Sequence, residues 1–124
     1  MARILVIDDE EIVRRAVVAV LRMAGHDVVE ASDGETGIRL IQQHPFDLII
    51  TDIRLPGLDG AEVIKALRRV RPESRVIAIG GGDAGTASGL EAFARQLGAD
   101  RVLHKPFAGQ DLKDAVSGLL GGHD

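Results

Sequence analysis

Four short apolar runs, Ile4-Leu5-Val6-Ile7, Leu48-Ile49-Ile50, Val76-Ile77-Ala78-Ile79 and Val102-Leu103, and a weaker one around Val28-Val29, punctuate the chain at fairly regular intervals. Each is too short to be a helix and too continuously apolar for a strand with one wet face, so strands buried on both faces are predicted. Between the runs the period changes. Ile12, Val13, Ala16, Val17, Val20 and Leu21 fall on one helical face, as do Val63, Ile64 and Leu67, then Leu90, Phe93, Ala94 and Leu97, then Leu112, Ala115, Val116 and Leu119. A further helix is predicted through Ile38 and Ile41. Asp59 followed by Glu62 has capping-box spacing with Asp in place of Ser or Thr, and Gly25 and Gly98 stand where helix C-termini favour a left-handed residue. Five strand–helix pairs of this kind imply a parallel sheet covered on both faces, with right-handed crossovers: an α/β sandwich.

In open sheets of this type, ligands bind beyond the carboxyl ends of the strands. Asp8-Asp9-Glu10 follow the first run, Asp52 the third, Gly80-Gly81-Gly82 the fourth, and Lys105-Pro106 the fifth, so carboxylates and one ammonium converge on one edge. Carboxylates about 4 Å apart repel by roughly 1–4 kcal/mol per pair, which disfavours the cluster unless a cation is bound. All-oxygen ligation with room for water suits Mg²⁺ better than zinc, for which the cluster has neither Cys nor a His pair. Asp8 or Asp9 alone would serve equally well as a helix N-cap. Asp52 differs, because Ile53-Arg54-Leu55-Pro56-Gly57 after it is a turn and no helix begins where it could cap. A carboxylate flanked by metal and ammonium is a sensible phosphoryl acceptor, with Asp as nucleophile and the cations neutralising the transferring oxygens. A lone strand-end lysine is commonly just solvated. Pro106 argues for more at Lys105, since a cis peptide there would aim the preceding side chain reproducibly.

Length and charge narrow the picture. The 124 residues, with 15 basic and 19 acidic side chains and a net charge of −4, fit one ordinary domain, and a two-domain enzyme is excluded. We expect the domain over residues 1–120 and a tail or linker stub over 121–124. No cysteine is present, so disulfide and thiolate chemistry are excluded. The absence of a long apolar run or a signal-like start gives no expectation of membrane insertion or export, and cytoplasmic placement is the expectation. A mildly acidic chain with Phe 3, Trp 0 and Tyr 0 offers neither a basic field nor a stacking platform, so direct nucleic-acid binding is not expected. His26, His44 and His123 are expected at the surface, and His104 on the strand face opposite Lys105.

The segments ILVIDDEE (Ile4 to Glu11), DLIITDIRLPGLDG (Asp47 to Gly60) and GADRVLHKPF (Gly98 to Phe107) resemble the motifs of the receiver domain of two-component response regulators, and the likeness runs over almost the whole chain. The resemblance implies a flavodoxin-like (βα)5 fold with strand order 2-1-3-4-5. It implies Asp52 as the phosphorylated residue, Mg²⁺ ligated by Asp9, Asp52 and the Arg54 carbonyl, Asp8 acting through water, and Lys105 on the phosphoryl group. It also implies a histidine kinase or histidine phosphotransfer protein as donor. Partner contacts would fall on the fourth helix, fifth strand and fifth helix, around Phe93, Ala94 and Val102, and helix surfaces there offer faces for a homodimer.

Two positions depart from the family pattern: Gly80 stands where a Ser or Thr normally closes the fourth strand, and Val102 where an aromatic normally swings with it. The usual hydroxyl-and-aromatic switch is therefore absent. Backbone N–H groups of Gly81 and Gly82 would then bind the anion as a nest, with output through loop ordering, or the domain would be a phosphate shuttle. A degenerate receiver acting as a phosphorylation-independent interaction module is the alternative. Gly80-Gly81-Gly82-Asp83-Ala84-Gly85 also satisfies the dinucleotide-binding pattern, but it follows the fourth strand and lacks the partner acid, so a nucleotide-binding module is the remote reading. An Asp-nucleophile hydrolase fits less well, because Glu10 replaces its second Asp; no turnover of a metabolite is expected.

Overall fold

The computed structural model describes residues 1–53, 60–81 and 87–121. Strands and helices alternate: β1 (Arg3–Ile7), α1 (Glu11–Met23), β2 (Asp27–Ala31), α2 (Gly34–Gln43), β3 (Leu48–Asp52), α3 (Gly60–Val70), β4 (Arg75–Gly81), α4 (Ala87–Leu97), β5 (Arg101–Lys105) and α5 (Gly109–Leu120). The strands form one parallel sheet in the order β2-β1-β3-β4-β5. The expected flavodoxin-like α/β sandwich is observed.

Because successive strand residues face opposite ways, each apolar run feeds two cores. Leu5, Ile7, Ile49, Val76 and Ala78 join Ile41, Val63, Ile64 and Leu67 of α2 and α3 in one cluster. Ile4, Val6, Leu48, Ile50, Ile77 and Ile79 join Val17, Val18, Leu21, Leu112 and Val116 of α1 and α5 in the other. This explains why the central strands lack polar alternation: β3 is buried at every position. Asp33 caps α2, its Oδ1 accepting the Thr36 N–H at 2.7 Å, which holds its carboxyl below the usual range. Gly25 and Gly98 take positive φ, 92° and 103°, as the helix-end pattern predicts. Asp59, the other predicted cap, lies outside the described residues. Among those described, no helix is long and apolar enough to cross a membrane.

The structure corrects three surface expectations. Ile12 is 87% exposed and Ala16 is exposed, while Val18 is buried, because the first turn of α1 lies at the carboxyl edge of the sheet with no strand beneath it. Ile12 instead borders a groove of about 610 Å³ shared with Val13, Val20, Phe107 and Leu112. Ala94 is fully buried against the α3-side core and cannot be a partner contact, whereas Phe93 beside it is exposed. His26 is half-buried rather than free at the surface: its Nδ1 accepts the Ala2 N–H at 3.1 Å, and burial, with the N-terminal charge, lowers its pKa.

The amino-terminal ends of β4 and β5 are pinned by Arg68. Its guanidinium donates to the carbonyls of Pro72 (2.9 Å), Ser74 (2.6 Å) and Gly98 (2.6 Å) and to Asp100 Oδ2 at 3.1 Å. Asp100 Oδ2 also accepts the Val76 N–H at 2.8 Å, so one ion pair ties both strands to α3.

Candidate functional site

The chain leaves β1 toward one edge of the sheet and returns through β2 to β3 on the other side of β1, opening a crevice where the crossover direction reverses. Ile7 pairs with Thr51, so Asp8, just past β1, and Asp52, the last residue of β3, emerge side by side. Both are buried. The turn after Asp8 is fixed from three directions. The Asp8 N–H donates to Ala31 O at 3.1 Å, Asp8 Oδ1 accepts the Glu10 N–H at 2.9 Å, and Arg14 Nη1 donates to Asp8 O at 3.0 Å. Arg14 is held in turn by Glu30 at 3.0 Å. On the other side, the N–H of Gly60 donates to Ile53 O at 2.8 Å, bringing the start of α3 against the end of β3.

Lys105 arrives from β5, two strands away from Asp52. Between them stands the end of β4, where Gly80 and Gly81 lie opposite His104 and Lys105 and present no side chain. Lys105 Nζ donates to Asp52 Oδ2 at 2.8 Å and to Glu10 Oε1 in a short contact, and stands 3.3 Å from Asp8 Oδ2. Burial alone would pull this ammonium down; the hydrogen bonds to Asp52 and Glu10, with the charges of Asp52 and Asp8, outweigh it and the net shift is upward. Asp8 is raised, first by burial and then by the Asp52 charge, against the opposing effects of the Glu10 N–H and Lys105.

Asp8, Asp52 and Lys105 are therefore brought together as the sequence predicts. Asp9 is exposed; the carboxylates whose oxygens gather within 4.8 Å are those of Asp8, Glu10 and Asp52. Glu10, Arg14 and Gly60 were not singled out as site residues from the sequence. Only the turn that folds the first helix back over the sheet puts the side chain of Glu10, rather than that of Asp9, beside Lys105. Gly80 and Gly81 are the last residues of β4, and Val102 pairs with Ala78 and packs, half-buried, on the α2–α4 side. The Lys105–Pro106 peptide is cis. Arg54 and Gly82, the expected carbonyl ligand and half of the expected nest, lie outside the described residues.

The donor set suits a hard cation. Its side-chain ligands are all carboxylate oxygens, and Asp8 Oδ2 is buried with no hydrogen-bond partner among the described residues. Such a group costs stability when empty of metal. A carboxyl whose folded pKa is raised penalises the folded state above that pKa, and the penalty vanishes as pH falls through it. Asp8→Asn keeps the acceptor for the Glu10 N–H and is expected to stabilise the chelator-treated protein by about 1 kcal/mol at pH 7. In urea titrations the difference should shrink toward pH 4, and Mg²⁺ should stabilise the native chain more than the variant.

The sequence model of the response regulator receiver domain matches residues 4–117. The alkaline phosphatase synthesis transcriptional regulatory protein PhoP of Bacillus subtilis is 36% identical over 121 residues, covering 95% of this chain and 48% of that protein. A response regulator structure from Chloroflexus aurantiacus superposes with a TM-score of 0.88 at 30% identity, covering 97% of this chain and 98% of the other. The receiver domain of the sensor histidine kinase PA1611 from Pseudomonas aeruginosa, with a magnesium ion coordinated in its active site cleft, superposes with a TM-score of 0.85 at 27% identity, covering 97% and 98%. Fold and acidic edge together define a receiver domain of the two-component class. The chain belongs to the response regulator receiver domain family. It spans about half the length of the first curated relatives it matches.

Proposed function

We propose that this domain accepts a phosphoryl group on Asp52 from a phosphohistidine carried by a histidine kinase or histidine phosphotransfer protein. The observation that carries the reading is the Lys105 ammonium at 2.8 Å from a buried Asp52 carboxylate, with two further carboxylates gathered around it. An Asp52 oxygen attacks phosphorus, the phosphorus–nitrogen bond to the donor imidazole breaks, and its electron pair returns to the imidazole nitrogen. The product is an acyl phosphate. Lys105 neutralises charge on the transferring oxygens, and Gly80 and Gly81 leave the approach beside it clear. By the family pattern Mg²⁺ would be held by Asp9, Asp52 and the Arg54 carbonyl, with Asp8 acting through water; the carboxylates gathered here are Asp8, Glu10 and Asp52, and the bound ion would supply further positive charge at the transferring oxygens. Hydrolysis of the acyl phosphate returns Asp52 and inorganic phosphate, and no metabolite is turned over.

With Gly80 in β4 and an aliphatic Val102, we read the output as shuttling of the phosphoryl group or ordering of the segment after Gly81. Intact mass after incubation with a small phosphoryl donor tests the acceptor. One added phosphoryl group that requires Mg²⁺ and disappears in Asp52→Asn is the expected result. No adduct, and no uptake of beryllium fluoride, would overturn it in favour of a degenerate receiver acting through protein contact alone.

A further inference from the structure

The Lys105 ammonium is hydrogen-bonded to Asp52 Oδ2 and Glu10 Oε1, and Asp8 Oδ2 stands 3.3 Å away as a charge partner without a hydrogen bond. A phosphoryl group on Asp52 therefore meets an ammonium already drawn toward other carboxylates and must compete with them for it. Asp8 and Asp52 are buried, with side chains only 1% and 9% exposed, and neither can be resolvated without opening the site. The Glu10 side chain is 57% exposed, so its carboxylate can swing into water at little desolvation cost. Its backbone stays fixed through the Glu10 N–H to Asp8 Oδ1 bond, so the exchange requires only rotation of the side chain.

We propose that Glu10 is a built-in competitor of the phosphoryl group for Lys105: it occupies the ammonium in the unmodified domain and is displaced when the phosphoryl group arrives. The inference rests on the phosphoacceptor reading of Asp52. The free energy of the Glu10–Lys105 contact is subtracted from capture of the phosphoryl group, so this side chain sets how readily the modified state forms without taking part in the chemistry. Glu10 is in this sense a positioning residue.

The test titrates beryllium fluoride, a phosphoryl mimic, into the native chain, Glu10→Gln and Glu10→Asp at saturating Mg²⁺, with calorimetry and amide NMR as readouts. Glu10→Gln removes the charge, and Glu10→Asp keeps it on a stem one methylene shorter that cannot reach Lys105. Both variants are expected to bind the mimic roughly two- to five-fold more tightly, the range set by partly exposed ion pairs. Unchanged or weaker binding in both overturns the inference. Tighter binding in Glu10→Gln with native-like binding in Glu10→Asp also overturns it, since that result makes Glu10 a source of repulsion and not a grip on Lys105. A ten-fold loss of Mg²⁺ affinity in Glu10→Gln overturns it in favour of Glu10 as a metal ligand. Failure of the native chain to bind the mimic at all overturns the phosphoacceptor reading itself, an outcome distinct from the others.

Discussion

Gly60→Ala is expected to destabilise the domain by about 3 kcal/mol, the upper end of overpacking costs, and to lower its melting temperature by roughly 10 °C. A Cβ at this position would lie 2.2 Å from Asp52 O, 2.7 Å from Ile53 Cα and 3.0 Å from Asp52 C. All of these are backbone atoms, so no side-chain rotation relieves the clash. The strand end carrying the Asp52 carboxylate or the first turn of α3 must move. Either movement strains the Gly60 N–H to Ile53 O bond of 2.8 Å and displaces Asp52 relative to Lys105. Loss of phosphoryl uptake should therefore accompany the loss of stability, and thermal melts with intact-mass kinetics on the same sample read both. A variant that melts lower yet takes the phosphoryl group at the native rate would show that α3 yields and the end of β3 does not.

Lys105→Met should have the second large effect, a double loss of which Mg²⁺ restores only one part. Without metal, removal of the ammonium takes away the cation that the buried Asp8 and Asp52 carboxylates share, and breaking a buried pair from one side costs about 3 kcal/mol. The pH dependence follows from the partners. In the native chain the Lys105 pKa is raised, so its stabilisation is complete below the ordinary lysine pKa of about 10.4 and is lost only as pH rises through the higher folded value. In the variant, the carboxylate repulsion is relieved by protonation, so the deficit should narrow between pH 7 and pH 4. Mg²⁺ should offset most of the deficit at pH 7, because a cation then stands again among the carboxylates. Phosphoryl uptake should nevertheless fall by on the order of 100-fold, the loss typical of removing one charge-stabilising group. Urea unfolding with chelator and with Mg²⁺, beside adduct formation by mass, separates the two effects.

The sheet was legible because its strands are buried on both faces, so Ile4 to Ile7, Leu48 to Ile50 and Val76 to Ile79 stand out as apolar runs whatever packs on them. Asp8, Asp52 and Lys105 were legible for a topological reason: each closes a strand, and a parallel sheet brings all strand ends to one edge. What escaped depended on distances along no strand. Ile12 shares a helical face with Val17 in the sequence, yet lies beyond the sheet edge where there is nothing to bury it. Glu10 rather than Asp9 reaches Lys105 because the turn is set by Arg14 and Glu30, residues whose partnership crosses from α1 to β2 and leaves no local signal. Gly60 reads as one glycine among fifteen until the carbonyl of Asp52 is placed against it.

The Arg68–Asp100 tie sits at the end of the sheet far from the acidic edge, and it divides the evolutionary freedom of the chain. With β4 and β5 registered from their amino-terminal ends, the residues at their far ends need not contribute to holding the strands together. Gly80, at the far end of β4, can thus stand where the receiver pattern has a hydroxyl without loosening that register, whereas Val102, beside the tie and packed on the core, stays under the constraint of folding.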